Sequence, residues 1–133
     1  EWDLDDDYTL ISVFEYPKAF TWARMDPGHT DPEKREYIRE IAAKSFPATI
    51  PDVQRWAFGI SVAKHGNVRF DIDNVPKLII DAFCKRQIRE DNSKYPQVGL
   101  FEDDTIDTVR ILNIRGERGR KDFTKVEIFG ALN

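Results

Sequence analysis

The chain has 133 residues, 41% of them hydrophobic and 12% aromatic, which suits one domain with a real core and no disulfide staples. A single cysteine, Cys84, excludes an internal disulfide and a cysteine-based zinc cluster, and two histidines, His29 and His65, leave any metal to hard oxygen ligands, as Mg²⁺ or Mn²⁺. A net charge of −4 argues against a protein that coats nucleic acid, and no apolar run is long enough to cross a bilayer, so a cytosolic protein is expected.

Residues 1–8 read as an acidic, mobile lead-in, with five acids (Glu1, Asp3, Asp5, Asp6, Asp7) and no base in the first seven positions. The chain begins at Glu1 without a methionine, so an upstream part is expected to be missing or removed. Thr9 to Glu15 is rich in β-formers and ends at Pro17. A loop follows, with Tyr16, Phe20, Trp22, Arg24 and a Pro27-Gly28 break. Thr30 or Asp31 can cap a helix with Pro32 in its first turn; Tyr37, Ile38, Ile41 and Ala42 recur at helical period, and Pro47 stops it. Trp56 to Lys64 alternates, with Trp56, Phe58, Ile60 and Val62 on one face and the small Ala57, Gly59, Ser61 and Ala63 on the other, a face suited to close packing.

After a turn at residues 65–67, Asp73 or Asn74 can cap a second helix, with Pro76 tolerated in its first turn and Leu78, Ile79, Ala82 and Phe83 as its core contacts. The later part of residues 85–99 reads as a loop. Asp104 or Thr105 opens a strand to about Arg115, residues 116–122 turn, and Phe123 to Phe129 is the last strand. The order is β-α-β-α-β-β. It predicts an α+β fold, a mixed sheet with helices packed on one side, in a single domain over residues 9–133.

The chemistry concentrates in residues 69–81, RFDIDNVPKLIID. Asp71 and Asp73 stand where a strand hands over to a helix. Lys77 and Asp81 follow Asp73 at successive four-residue steps, so all three share one helix face. A second acidic knot is Glu102-Asp103-Asp104. Carboxylates this dense repel one another unless a divalent cation holds them or water solvates them. A cation at Asp71, Asp73 and Asp104 would polarise a phosphate. The plainer alternative makes Asp71 and Asp104 turn residues, Asp73 a helix cap and Lys77 a bridge between Asp73 and Asp81, and a bare D-x-D favours that alternative. Residues 110–125 carry six bases, including Arg110, Arg115, Arg118, Arg120 and Lys121, against two acids. Such a strip holds nucleic-acid phosphates or is a solvated hairpin. Tyr16, Trp22 and Arg24 form either an aromatic, basic loop against DNA or part of the packing.

The combination resembles the RusA family of Holliday junction resolvases. It is carried by Asp71-Ile72-Asp73-Asn74, Lys77, Asp81-Ala82-Phe83 and Phe101-Glu102-Asp103-Asp104, in a chain whose element order also matches from about Thr9 to Phe129. The resemblance implies a homodimeric, Mg²⁺-dependent endonuclease, with Mn²⁺ a possible substitute, that makes paired symmetric nicks in four-way DNA junctions. It matches Asp71, Asp73 and Asp104 to the metal-binding aspartates and Lys77 to the essential lysine. Asp81 and Asp103 match further acidic positions, and a prophage or bacterial recombination and repair setting is implied. Residues 84–100 form a longer link than the family usually has. The rival expectations are a non-catalytic DNA- or protein-binding module on the same fold, and a metal-dependent nuclease for other branched DNA.

Overall fold

The computed structural model describes residues 2–22 and 29–132, so Arg24 and the Pro27-Gly28 break lie outside the described residues. Four strands, β1 (Tyr8–Tyr16), β2 (Val53–His65), β3 (Val109–Gly119) and β4 (Phe123–Leu132), form one mixed sheet in the order β1-β4-β2-β3. β4 runs antiparallel to both β1 and β2, whereas β2 and β3 are parallel. A parallel pair needs a crossover. Here it is made by α2 (Asn74–Ala82), α3 (Lys85–Glu90) and a 3₁₀ turn at Pro96–Val98, while α1 (Asp31–Ala43) links β1 to β2.

The alternation in β2 sorts the two faces of the sheet. Phe58, Ile60 and Val62 are buried beneath the helices with Val126 and Ile128 of β4 and Phe14 and Tyr16 of β1. Against them pack Ile38 and Ala42 of α1 and Val75, Leu78 and Ile79 of α2. Phe83 closes α2 at the centre of an aromatic group, 5.5 Å from Phe46, 5.9 Å from Phe14 and 6.4 Å from Phe58 between ring centroids. Of the two alternatives for Tyr16, a DNA-facing loop or packing, the fold shows packing: it is core, 2% exposed.

The opposite face carries the small side chains, which make a trough along β2. The indole of Trp2 lies in that trough, so close above Gly59 that an added Cβ would sit 2.3 Å from its Nε1. The acidic lead-in thus lies against the sheet, and Asp7 pairs with Arg55 at 2.7 Å.

Three elements differ from the sequence expectation. A short helix, α3, forms inside residues 85–99, ending where Asn92 takes the left-handed backbone (φ 53°) that asparagine tolerates. β3 begins at Val109, not Asp104 or Thr105, because Thr108 and Val109 donate back to the Thr105 carbonyl in a turn. β3 also runs through the expected turn to Gly119. Val62 pairs with Gly116 and His65 with Gly119, so the β2 ladder extends the strand, and bare Gly116 leaves room for Ile72. β4 likewise continues to Leu132 along Val53.

α1 buries Lys34, Arg35 and Arg39 beside its apolar positions. The segment between α3 and the 3₁₀ turn makes this tolerable. Asp91 accepts from Arg35 Nε at 2.7 Å and from Arg39 Nη2 at 3.0 Å, and Glu36 accepts from Ser93 Oγ at 2.6 Å and the Lys94 amide at 2.9 Å. Burial pushes the Asp91 carboxyl up, but the hydrogen bonds and charges of Arg35 and then Arg39 outweigh it and hold it below the usual range. The longer link is thereby bolted to α1.

Candidate active site

The acidic residues gather where β2 hands over to α2. Phe70 leads into a turn in which Asn74 and Val75 donate to the carbonyls of Asp71 and Ile72, and α2 starts directly from it. The Asp71 carboxylate is half exposed and accepts from Arg69 Nε at 3.0 Å. Asp73 occupies the N-cap position but makes no capping bond: its backbone is already helical (φ −69°, ψ −14°), whereas a capping side chain needs an extended residue beneath it. The expected cap is absent, and the Asp73 carboxylate is exposed to solvent. Trp22, 41% exposed, is brought near by its amide, which donates to the Asn74 carbonyl at 2.9 Å.

One turn along, the helix face predicted from the sequence is realised in part. Lys77 Nζ lies 3.1 Å from Asp81 Oδ2 and 3.2 Å from Oδ1, so the lysine bridges forward to Asp81. Asp81 is 6% exposed. Burial pushes its carboxyl up, Lys77 pulls it down, and the negative charge of Asp104 pushes it up again; the net effect is a raised pKa. Asp104 is therefore within electrostatic reach of Asp81.

Backbone stitching explains why. Lys85 donates to the Phe101 carbonyl at 2.8 Å, Leu100 to Phe83 at 2.9 Å, and the Cys84 thiol to the Glu102 carbonyl at 3.0 Å. These bonds fasten the acidic knot to the end of α2, so the Asp104 charge reaches Asp81 from 23 positions further along the chain. Asp103 accepts from the Asp104 amide at 2.9 Å and from Arg86 at 3.2 Å, and these donors hold its carboxyl below the usual range. Glu102 pairs with Arg89. Burial raises the Cys84 thiol, which suits its place in the core.

The protein thus pairs Lys77 with Asp81, lets the Asp104 charge bear on Asp81, and places Asp73 at the head of the same helix. Asp71 is turned to Arg69. Among the described residues no three His, Cys, Asp or Glu side chains converge closely enough to hold a metal ion. The donor chemistry still fits a hard cation: every candidate is a carboxylate, Asp71 and Asp73 are exposed on rotatable side chains, and the charge of Asp104 bears on buried Asp81.

The basic strip is divided by the pleat of β3. Arg118 donates to the carbonyls of Gly66 at 2.9 Å and Val68 at 2.8 Å, pinning the loop that precedes Asp71. Arg115 points to the opposite face, its guanidinium 4.5 Å from the centre of the Trp2 ring. Arg120 and Lys121 are exposed in the turn between β3 and β4, and Arg110 is exposed near the start of β3. The expected single strip is thus at least two surfaces, since successive strand residues face opposite ways.

Sequence reasoning missed a cleft of 210 Å³ beside the acidic turn, lined by Lys64, Phe70, Ile72, Gly116 and Arg118 among others. Its signal was Gly116, whose missing side chain admits Ile72. It also missed Arg35, whose positive charge reaches Asp81 from α1. No helix among the described residues is long and apolar enough to cross a membrane. Comparison with protein-family models, with curated proteins and with solved structures finds no match to this chain.

Proposed function

We propose that the protein is a RusA-like, Mg²⁺-dependent endodeoxyribonuclease that nicks branched DNA, with the four-way junction as its substrate and a homodimer as its working form. The observation that supports this reading is the bond between Lys77 and buried Asp81 on the helix that Asp73 opens, with the Asp104 charge acting on Asp81.

Asp71, Asp73 and Asp104 would hold the metal ion. When bound, Mg²⁺ supplies charge neutralisation at the phosphodiester and acidifies the attacking water. Lys77 offsets charge developing on the phosphate oxygens, and Asp81, buried and bonded to Lys77 Nζ, fixes where that ammonium sits. Asp103, held by Arg86 and the Asp104 amide, positions the loop that presents Asp104. Arg110, Arg120 and Lys121 contact DNA phosphates, Arg115 offers a further contact from the other face of β3, and Arg118 holds the loop before Asp71. Two protomers related by a two-fold axis would place two nicks symmetrically on a two-fold junction.

A second reading, a DNA-binding module without catalysis, is favoured by the pairing of Asp71 with Arg69. Nicking of a synthetic mobile four-way junction, beside linear duplex and flap controls, separates the two. The nuclease reading expects paired nicks that need Mg²⁺ or Mn²⁺, vanish in Asp73→Asn, and fall by about 10²-fold or more in Lys77→Met. Tight binding without cutting in either metal would leave the module.

A further inference from the structure

The face of the sheet away from the helices is not bare. Its central strand offers only Ala57, Gly59, Ser61 and Ala63, and across the ladder Ser61 is flanked by Arg115 on β3 and Lys125 on β4. A cleft of 390 Å³ runs over Ser61 and Ala63 between Arg115, Glu117, Phe123 and Lys125. At Gly59 the trough is filled by Trp2. The indole is held on three sides: Gly59 is the floor, Arg115 stacks on the ring, and Glu127 Oε1 accepts the indole N–H at 3.0 Å. Asp7 holds the other end of the segment through Arg55. Between these anchors lie Asp3, Asp5 and Asp6, so residues 2–7 are an acidic strap laid over cationic side chains.

We infer that this strap is an intramolecular competitor for DNA: seated by Trp2 on Gly59, it engages Arg115 through the indole and Arg55 through Asp7, and must lift before both can turn to a phosphate backbone. The inference rests on the reading of the basic strip as a DNA contact. Its physics is mass action within one chain. If the DNA-competent state is only a fraction of the molecules, the apparent dissociation constant is raised by the inverse of that fraction. Asp7 also neutralises Arg55, a cation that would otherwise release counterions from DNA.

The test is binding of a fluorescently labelled four-way junction by anisotropy, in EDTA so that cleavage plays no part. Trp2→Ala removes the anchor without changing net charge. Gly59→Ala expels the same indole from below without touching the strap, so a folding defect peculiar to one variant does not decide the outcome. Both are expected to tighten binding by about fivefold or more, to steepen its salt dependence, and to lose the gain in an Arg115→Ala background. Binding unchanged or weakened in both variants, with metal-dependent nicking intact, would overturn the strap and leave the nuclease reading standing. Absence of junction binding in every protein would overturn the DNA reading and the strap with it.

Discussion

Replacing Asp91 with alanine removes the bolt between α1 and the long link. Asp91 accepts four hydrogen bonds: Arg35 Nε at 2.7 Å and Nη2 at 2.9 Å, Arg39 Nη2 at 3.0 Å, and Gln87 Nε2 at 3.0 Å. The side chains of Arg35, Arg39 and Asp91 are 8%, 0% and 7% exposed. Removing one partner of a buried ion pair strands the other charge in a poor solvent, which costs about 3–5 kcal/mol. Arg39 keeps the Ala82 carbonyl at 2.6 Å and Glu36 at 3.1 Å, so the burden falls on Arg35 and the expected loss is about 3 kcal/mol. That is a large share of the ~5–15 kcal/mol that holds a domain together. Urea unfolding followed by circular dichroism measures it. Arg35→Met combined with Asp91→Leu should recover most of the loss, because it removes both charges and keeps the volume. A loss under about 1 kcal/mol for Asp91→Ala, the value of an exposed pair, would refute the argument.

The same carboxylate sets an acid limit. Its folded pKa is depressed, so its contribution is complete above the unfolded value of about 3.9 and is lost as the pH falls below that through the folded pKa. Asp91→Asn should flatten stability against pH in that acid window, read by urea midpoints between pH 2 and 6 in steps of roughly one unit. Asp104→Asn should lower the titration midpoint of Asp81 in carboxyl NMR and Lys77→Met should raise it, since the Asp104 charge opposes and the Lys77 charge favours ionisation of Asp81. Phe83→Ala should cost about 3–5 kcal/mol in urea unfolding, because the ring is fully buried among Phe14, Phe46 and Phe58. Thr30→Ala removes the side chain that accepts the Glu33 amide in the capping box of α1 and should cost about 0.5–2 kcal/mol in the same experiment.

The elements that period alone decides were legible. Alternation in β2 named its buried face, and the Thr30, Pro32 and Glu33 signature placed the start of α1. What was not legible depends on partners distant in sequence. Gly116 and Gly119 read as turn residues, yet β2 beside them supplies the hydrogen bonds that keep them in β3. Asp104 read as the start of a strand. It lies in an irregular stretch ahead of the turn at residues 105–108, because the residues before it are stitched to Phe83, Cys84 and Lys85. The burial of Lys34, Arg35 and Arg39 beside the apolar positions of α1 carries no periodic signal, because it depends on Asp91, Glu36 and the carbonyls of Thr21 and Ala82.

At the candidate site the division is similar. The four-residue spacing of Lys77 and Asp81 on one helix face could be read directly, and the bridge between them follows. That Asp73 makes no cap could not be read, because it depends on the backbone angles of the turn rather than on residue type. The role of Trp2 was hidden for another reason. A lone tryptophan in an acidic segment carries no period, and its seat is created by the absence of a side chain at Gly59, 57 positions later.

The proposed nuclease requires the acidic turn and the acidic knot to form one divalent-cation site. The direct measurement is a titration of the isotope-labelled protein with Mn²⁺, following paramagnetic broadening of backbone amides. Saturable broadening is expected, centred on residues 71–81 and 102–105, abolished by Asp104→Asn and competed by Mg²⁺. Broadening confined to the acidic residues 3–7, or unchanged by Asp104→Asn, would contradict it.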